Sequence, residues 1–456
     1  MSDLAASLGR LIRSPAFKFF LISFLILLII IPMFLAANLV SERESRARQV
    51  RAEIGKVWGQ AQQVFGPLLV LPYTVRITTS EGDRRVEQSV DRRAVFTPEQ
   101  LDIKAETMTK VLHRGIYEAP VFTAKLRIAG RFLAPDIGDV ISDPQSVRWR
   151  DATLLVGLSD VSGLKESAVL KIIEQTEVPF MPSLGIPGTP LNGIHAKLLA
   201  AGPAAIQAPN GPMLAFAFQL DLVFAGSMSL EFAPAARTTR VAMTSDWPDP
   251  SFSGAFLPSD RSLSPGGFSA AWTVPHLARS VPQAWSLTDE GIDRFRPYYF
   301  GVSLFQPVGF YDLIMRAVKY DLLFVGLAFM AVFVLEVRSR VRVHPVQYLF
   351  VGVALTFFYV LLLSLAEHIG FATSYLAAAT ATGAMLAIYV ARSLRGYTYG
   401  LIMAVVFAIL YGLLYAILRL EDYALLAGAL VGFVTLTIIM FATVDVDWSG
   451  GERHGP

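Results

Sequence analysis

Ionisable residues at the ends of long apolar segments are the side chains in this sequence best placed for chemistry. Glu367 and His368 end one such segment, and an imidazole beside a carboxylate can exchange a proton near neutral pH. Charged groups near membrane depth are costly unless paired or hydrated, so they suggest a functional site. Helix ends at lipid headgroups are also normally charged, and these residues could pair only to close turns. The predicted cluster at the outer membrane face comprises Lys319, Asp321, Glu367, His368, Arg419, Glu421 and Asp422.

Motifs of well-known catalytic chemistry are absent. The sequence has no glycine-rich phosphate loop, dinucleotide fingerprint, HExxH zinc motif or GxSxG nucleophile elbow. Cysteine is also absent, which excludes disulfides, thiolate metal sites and cysteine nucleophiles. We therefore expect no catalytic residues, no metal and no cofactor. A membrane hydrolase built from scattered residues, with Glu367 and His368 as candidates, is the enzymatic alternative.

Composition indicates that much of the chain is embedded in lipid. Of 456 residues, 54% are hydrophobic and 17% are charged, and the mean hydropathy is +0.49. Soluble domains are about 25% charged. The net charge of +2 is no excess of positive charge that would favour nucleic acid as a partner. The apolar composition makes the lipid bilayer the expected partner.

Six apolar runs are long enough to cross a bilayer as helices, which needs about 20 residues. The first contains Leu35, Ala36 and Ala37, which loosely resemble a signal cleavage site. Because this run is longer than a signal peptide's apolar stretch, we interpret it as an uncleaved anchor. The six predicted transmembrane helices are residues 17–40, 320–337, 346–365, 371–390, 399–418 and 424–444.

Basic residues in the short connections predict the orientation of these helices. An even number of spans then leaves residues 1–16 and the tail 445–456 in the cytoplasm, and residues 66–315 in the periplasm of a bacterial inner membrane. The basic residues flank span one and separate spans two from three and four from five: Arg10, Arg13, Lys18, Arg338, Arg340, Arg342, Arg392 and Arg395.

The segment after the first span is predicted to begin as a helix and continue as strands. Val50, Ile54, Val57, Ala61 and Val64 recur at helical spacing, which predicts an amphipathic juxtamembrane helix over 41–65. Gly-Pro at 66–67 should stop it. From 66 to 315 the apolar residues alternate, which predicts a large β-rich domain.

Two strand-like segments share one layout. Residues 122–128 (FTAKLRI) and 218–224 (FQLDLVF) both alternate and both run into Ala-Gly, at an offset of 96 residues. We interpret this as a duplicated β unit and hence a two-lobed β-sandwich. The alternative is that any two amphipathic strands look alike. In the spans, small residues at 377–384 and the pair Gly428 and Gly432 favour close helix packing, within the chain more than between copies.

Seven short motifs are distinctive enough to compare with known families. They are HPVQY (344–348), SLAEHIGF (364–371), LEDYALL (420–426), GPLLVLPY (66–73), RGIYEAPV (114–121), SDWPDPSF (245–252) and FGVSLFQP (300–307). These motifs resemble the CreD family of bacterial inner-membrane proteins, and the resemblance extends from about residue 55 to 448. It implies an integral inner-membrane protein linked to cell-envelope integrity, in many bacteria under two-component control, and it brings no established catalytic residues.

These patterns together predict a non-enzymatic envelope factor that contacts an unidentified envelope protein or lipid. The alternative is an insertase-like or lipid-handling machine, since membrane-protein insertases also place a β-sandwich between span one and five further spans. Insertases use an arginine buried in a groove, so a groove without one would argue against that activity. A deep apolar channel would favour lipid handling. The predicted periplasmic contact surface is Arg114, Tyr117, Glu118, Trp247 and Phe252, which could equally be core strand and turn residues.

Overall fold

The chain forms two compact units, one helical and one β-rich. The structure is a computed structural model. It describes residues 15–81, 84–172, 176–198, 206, 212–287, 291, 293–304, 309–339, 341, 343–420 and 424–443. The helical unit comprises Met1–Ala47 and Val308–Pro456, and the β unit comprises Arg48–Pro307.

Long apolar helices form the helical unit, as the composition predicts. The helices are α1 (Pro15–Trp58), α2 (Phe310–Lys319), α3 (Asp321–Ser339), α4 (Pro345–Ile369), α5 (Phe371–Ser393), α6 (Tyr397–Arg419) and α7 (Ala424–Thr443). Within the described residues, five helices are long and apolar enough to cross a membrane: α1, α3, α4, α5 and α6. Helix α7 has 20 residues and no charged side chain, and its role as a sixth span stays a prediction.

The first helix ends earlier than its apolar spacing predicts. Helix α1 stops at Trp58, and the first strand, Gln62–Glu81, runs through the Gly-Pro pair expected to stop the helix. Val57 is 90% exposed, so it does not belong to a buried stripe. Val64 is buried because it pairs in a sheet with Leu158. The predicted helix over 41–65 is therefore wrong at its C-terminal end, because long-range strand pairing takes residues whose spacing fits either structure.

Hydrogen bonds from one acidic loop hold the chain where this helix gives way to the strand. Asp160 accepts hydrogen bonds from the backbone nitrogens of Gln60 at 2.9 Å and Ser162 at 2.9 Å. Partial burial opposes ionisation, but these hydrogen bonds outweigh it and keep the pKa of Asp160 below its usual value. Gln62, which is fully buried, donates its amide to the carbonyls of Asp160 and Ala225.

Two β-sheets with one shared apolar core build the β unit, which confirms the predicted β-rich region. The strands are β1 (Gln62–Glu81), β2 (Arg84–Phe96), β3 (Gln100–Arg114), β4 (Tyr117–Phe132), β5 (Thr153–Leu158), β6 (Val169–Ile172), β7 (Thr176–Pro179), β8 (Met181–Pro182), β9 (Gly193–Lys197), β10 (Phe216–Ser227), β11 (Ser229–Phe232), β12 (Thr238–Ser245), β13 (Ser251–Gly254), β14 (Asp260–Ser264), β15 (Gly267–Pro275), β16 (Ala284–Ser286) and β17 (Phe300–Ser303). In the described residues the first sheet has the order β13-β17-β11-β1-β5-β9-β8, with β2 paired to β1 and β16 to β2. The second has the order β14-β15-β12-β3-β4-β10-β6-β7.

The two segments of similar layout are neighbours in the second sheet. Strands β4 and β10 pair antiparallel, with Leu126 opposite Leu222 and Ile128 opposite Leu220. All four side chains are buried. Two adjacent strands over one core need the same alternation, which accounts for their likeness without a repeat. The duplication and the two-lobed arrangement stay predictions.

The second span is preceded by an extra helix that the sequence assigned to the β domain. Tyr320 separates the amphipathic helix α2 from α3, and α2 begins at Phe310, within the region predicted as β-rich up to 315. In α2, Tyr311, Ile314, Ala317 and Val318 are buried at helical spacing. Helix α2 has 10 residues, which is too short to cross a membrane, and its buried side packs on the other helices of the helical unit.

Replacing Gly157 by alanine should destabilise the β unit, because Phe65 covers this glycine on the neighbouring strand. A Cβ at Gly157 would lie 1.7 Å from Cε1 of Phe65, its directly paired residue. We expect Gly157→Ala to lower the free energy of unfolding by about 1–3 kcal/mol, the usual cost of overpacking. Denaturant unfolding of the full chain in detergent, followed by tryptophan fluorescence, measures this, since five of the six tryptophans lie between residues 58 and 285.

Gly266→Ala is the matched control, because nothing lies within 4 Å of a Cβ at Gly266. This variant should unfold within about 0.5 kcal/mol of the natural chain. Equal losses in both variants would contradict the role of the Phe65 contact.

Candidate functional site

A buried acid in the helical unit is the residue with the most unusual surroundings. Asp321, the first residue of α3, is 1% exposed. Its Oδ2 accepts a hydrogen bond from the hydroxyl of Thr356 at 3.1 Å. Among the described residues, its Oδ1 makes no hydrogen bond of good geometry. An ionisable group buried among apolar helices is expensive, which makes Asp321 the primary candidate for a functional role.

Asp321 lies level with the middle of the neighbouring helix. Thr356, its partner, is near the centre of α4, whereas Tyr311 of α2 donates to Oε1 of Glu367, close to the end of α4, at 3.2 Å. Thr356 and Glu367 are 11 residues apart, or about 16 Å along a helix. The prediction that Asp321 and Glu367 share one layer at the outer mouth is therefore wrong. The reason is that α2 continues the chain toward that mouth, so the start of the apolar run is not the edge of the helical unit.

The other residues of the predicted cluster lie apart from Asp321. Glu367 is half-buried, and His368, Lys319 and Arg419 are exposed. Arg419 donates from Nε and Nη2 to the hydroxyl of Tyr415, at 3.3 and 3.0 Å. Glu421 and Asp422 lie outside the described residues. In the part of the chain that is described, the structure thus brings Glu367 to Tyr311 and joins neither to Asp321.

A small cavity adjoins the buried acid. It has a volume of about 10 Å³ and is lined by Asp321, Tyr359, Tyr411 and five apolar residues. That volume is about the minimum for one water molecule, which needs two to four polar partners. The carboxyl oxygen and the two phenol groups could supply them, so the arrangement can hold one water or pass a proton between oxygens.

Hydroxyl groups extend this polar centre to two more helices. The hydroxyl of Tyr411 on α6 lies 3.0 Å from that of Thr382 on α5, and Tyr375 donates to the carbonyl of Tyr411 at 2.7 Å. Sequence reasoning missed the centre because threonine and tyrosine are neutral and common in spans. Thr356 and Tyr359 stand three residues apart on one helical face, and that spacing was the available signal.

A second buried acid closes the connection between α3 and α4. Glu336 is 6% exposed, and its two oxygens accept from the hydroxyl of Tyr348 at 2.8 Å and the backbone nitrogen of Val343 at 2.8 Å. Both oxygens therefore have a good partner. This arrangement is structural, and it keeps the turn after α3 fixed.

A groove opens between α5 and α6. It has a volume of about 610 Å³, and none of its 13 lining residues is charged. Most are alanine or glycine, and the larger ones are Tyr375, Leu376, Phe407, Tyr411 and Tyr415. The small residues predicted to pack helices together thus partly line an open space.

Three residues of the predicted periplasmic contact surface lie at one hairpin, where β3 turns into β4. Arg114 forms an ion pair with Glu53 of α1 at 2.8 Å, and Arg51 donates to the carbonyl of Glu118 at 2.9 Å. Tyr117 is half-buried and Glu118 is exposed. The hairpin is therefore braced against the last turns of α1.

The other two residues belong to the packed interior. Trp247 is 8% exposed, and its indole nitrogen donates to the carbonyl of Asp249 at 2.9 Å. Phe252 is half-buried and packs edge-on against Phe268 and Trp272, with ring centroids 5.8 and 6.0 Å away. Trp247 is thus a core residue, and its predicted place on a contact surface is wrong, because the rigid Trp-Pro segment folds inward over the aromatic core.

Removing the hydroxyl bonded to Asp321 should weaken the helical unit. Thr356→Val keeps the shape but leaves the carboxyl without its hydrogen-bond donor, so we expect a loss of about 1–3 kcal/mol in stability. Thermal unfolding of the full chain in detergent, followed by helical circular dichroism, measures this. The control is Thr373→Val on α5, since the exposed Thr373 bonds only carbonyls of its own turn. Equal effects would show that Asp321 does not depend on Thr356.

Comparisons with known proteins agree with the resemblance seen in the motifs. Inner membrane protein CreD of Escherichia coli (strain K12) is 29% identical over 446 residues, which cover 96% of this chain and 95% of that protein. An M1 zinc metallopeptidase of Deinococcus radiodurans is 10% identical, with 41% of this chain and 40% of that chain covered, but its TM-score of 0.18 supports no argument. The family model described as "Inner membrane protein CreD" matches residues 14–449. Because that match includes nearly the whole sequence, the chain belongs to the CreD family of inner membrane proteins.

Proposed function

We propose that the protein is a six-span, non-enzymatic factor that contributes to cell-envelope integrity by contacting an envelope protein. In this proposal the β unit is periplasmic and both termini are cytoplasmic. The contact is made by the outer part of the β3–β4 hairpin, residues 108–120, here called the ribbon. The observation that carries the proposal is that the ribbon extends past its neighbouring strands and presents exposed apolar side chains.

The basic connections of the helical unit support this orientation. Arg338 and Arg392 lie in the last turns of α3 and α5, and Arg395 follows the end of α5. Gln347 at the start of α4 donates to Ser393 at the end of α5 at 3.2 Å, so these connections lie at the same end of the unit. A cluster of arginines at one end favours a cytoplasmic location for that end.

Among the described residues, no strand pairs with either edge of the ribbon. Strand β12 pairs with β3 as far as Thr107, and β10 pairs with β4 starting from Val121. Beyond these residues β3 and β4 pair only with each other. Met108, Val111 and Ile116 in this part are 66%, 42% and 38% exposed. A water-exposed two-stranded ribbon does not need such residues for its own fold, so they fit a contact with another protein.

Charged groups lie beside these apolar side chains. Lys110, His113 and Arg114 are all exposed on the ribbon, but His113 lies 3.2 Å from Glu118 and Arg114 pairs with Glu53. Apolar side chains and charges of both signs are therefore interspersed on the ribbon, which suits a partner surface that is also mixed. The Arg114–Glu53 ion pair and the hydrogen bond from Arg51 to the carbonyl of Glu118 join the ribbon to α1.

The insertase alternative receives no support from the groove between α5 and α6. Its lining contains no arginine and no other charged residue, whereas the insertase mechanism requires a buried arginine in the groove. Lipid handling keeps a specific observation in its favour, since the same groove is apolar and open to the membrane.

Cysteine labelling tests the proposed orientation, because the natural chain has no cysteine. Leu277 in the β unit is 85% exposed, and Tyr397 at the start of α6 is 95% exposed. We expect a membrane-impermeant maleimide to label Leu277→Cys in intact spheroplasts and to label Tyr397→Cys only after lysis. Labelling of Tyr397→Cys in intact spheroplasts with protection of Leu277→Cys would reverse the orientation.

Photo-crosslinking tests the proposed partner contact. A photoreactive amino acid at Ile116, in the full chain in cells, should give a discrete adduct with an envelope protein, identified by mass spectrometry. The same group at Leu277, which is exposed but lies outside the ribbon, should not give that adduct. In a strain lacking the natural protein, Met108→Asp combined with Ile116→Asp should fail to restore resistance to envelope stress, whereas Leu277→Asp should restore it. Matching adducts at both positions, or full restoration by the ribbon variant, would contradict the proposal.

A further inference from the structure

The groove between α5 and α6 is closed at one end and open at the other. At the closed end a Cβ on Gly400 would lie 2.6 Å from the Cβ of Ala391, so the two backbones nearly touch. Toward the other end nothing lies within 4 Å of a Cβ on Gly412. There the helices are bridged by Tyr375, which bonds the carbonyl of Tyr411, and the space between them is the groove of about 610 Å³.

The length of the groove matches one leaflet of a bilayer. On α5 its lining runs from Ala372 to Ala384, which is about 18 Å along a helix. The hydrocarbon core of a bilayer is about 30 Å thick, so one leaflet contributes about 15 Å. Ala372 is the second residue of α5, so the groove begins at the membrane boundary and ends near mid-depth.

The lining of the groove suits a hydrocarbon chain. None of its 13 lining residues is charged, and a hydrocarbon chain needs no polar partner. An acyl chain of a membrane lipid is therefore an occupant that matches this lining.

A positively charged side chain, that of Arg419, lies at the open end of the groove. Arg419, the last residue of α6, is exposed and follows the lining residue Tyr415 by one helical turn. Its guanidinium lies 5.4 Å from the ring of Tyr415 and donates to the hydroxyl of that ring. The stacked Phe371 and Tyr415 rings, 6.5 Å apart, form the rim. The guanidinium is thus held at the level where lipid phosphates lie.

We infer that this groove binds one anionic phospholipid, with an acyl chain between α5 and α6 and its phosphate at Arg419. Arginine pairs well with phosphate through charge-assisted hydrogen bonds. The site belongs to the helical unit and is independent of the ribbon, so failure of either proposal leaves the other intact.

Native mass spectrometry of the purified full chain tests this site. The protein is titrated with phosphatidylglycerol or with phosphatidylcholine of the same acyl chains, and retained lipids are counted. The natural chain should retain one phosphatidylglycerol in preference to phosphatidylcholine. Gly412→Phe places a ring in the groove and should abolish this retention. Arg419→Gln should lower the preference about fivefold, the factor that one arginine near an anionic surface contributes.

Gly326→Phe is the matched control, because it is a glycine of α3 with nothing within 4 Å of its Cβ and no place in the groove. It should retain the lipid as the natural chain does. If Gly412→Phe does not fold, Ala379→Leu narrows the same groove and should also abolish retention. Retention that is unchanged in both groove variants overturns the site, and an unchanged preference in Arg419→Gln overturns the phosphate contact. A bound second copy of the chain that Gly412→Phe removes would also overturn the proposal, by showing a protein occupant.

Discussion

Polar groups among apolar helices must bond to other helices, because lipid offers them no partner, and this constraint organises the helical unit. Asp321 bonds Thr356, Glu336 bonds Tyr348, and the Tyr411 hydroxyl lies within hydrogen-bond distance of that of Thr382. These pairs connect α3 to α4 and α5 to α6 at defined depths. Apolar contact alone gives helices in lipid little preference for one register. The polar pairs supply that register, and they explain why α3 can begin inside the unit at Asp321.

Small residues act in two opposite ways within the same unit. At Gly352 an added Cβ would lie 2.7 Å from Ile29, and at Gly400 it would lie 2.6 Å from Ala391, so these glycines let helices approach closely. At Gly412 the missing side chain leaves open space. Which of the two occurs depends on whether an aromatic residue such as Tyr375 spans the gap and holds the helices apart. The groove and the tight contact thus lie toward opposite ends of the same helix pair, α5 and α6.

In the β unit, one long strand and one long hairpin organise the two sheets. Strand β1 pairs with β2, β5 and β11, and the chain enters it directly from α1. The β3–β4 hairpin is the centre of the second sheet and continues beyond it as the ribbon. Because Glu53 and Arg51 of α1 bond the ribbon, the same helix that leads into the first sheet also fixes the tip of the second. The proposed contact surface is therefore joined to α1 at its tip.

The apolar helices, the β-rich region and the family could be predicted from the sequence, because apolar run length, period-two alternation and extended motifs are local properties of the chain. The alternation in residues 122–128 also predicted a strand with one apolar face, and Phe122, Ala124, Leu126 and Ile128 are buried in β4. Long-range pairing decided where α1 ends, since Val64 fits a helix or a strand until Leu158 pairs with it. It likewise decided that Trp247 is core and that Asp321 lies at mid-depth. Burial and depth depend on which distant segments pack against a residue, and spacing along the chain does not contain that information.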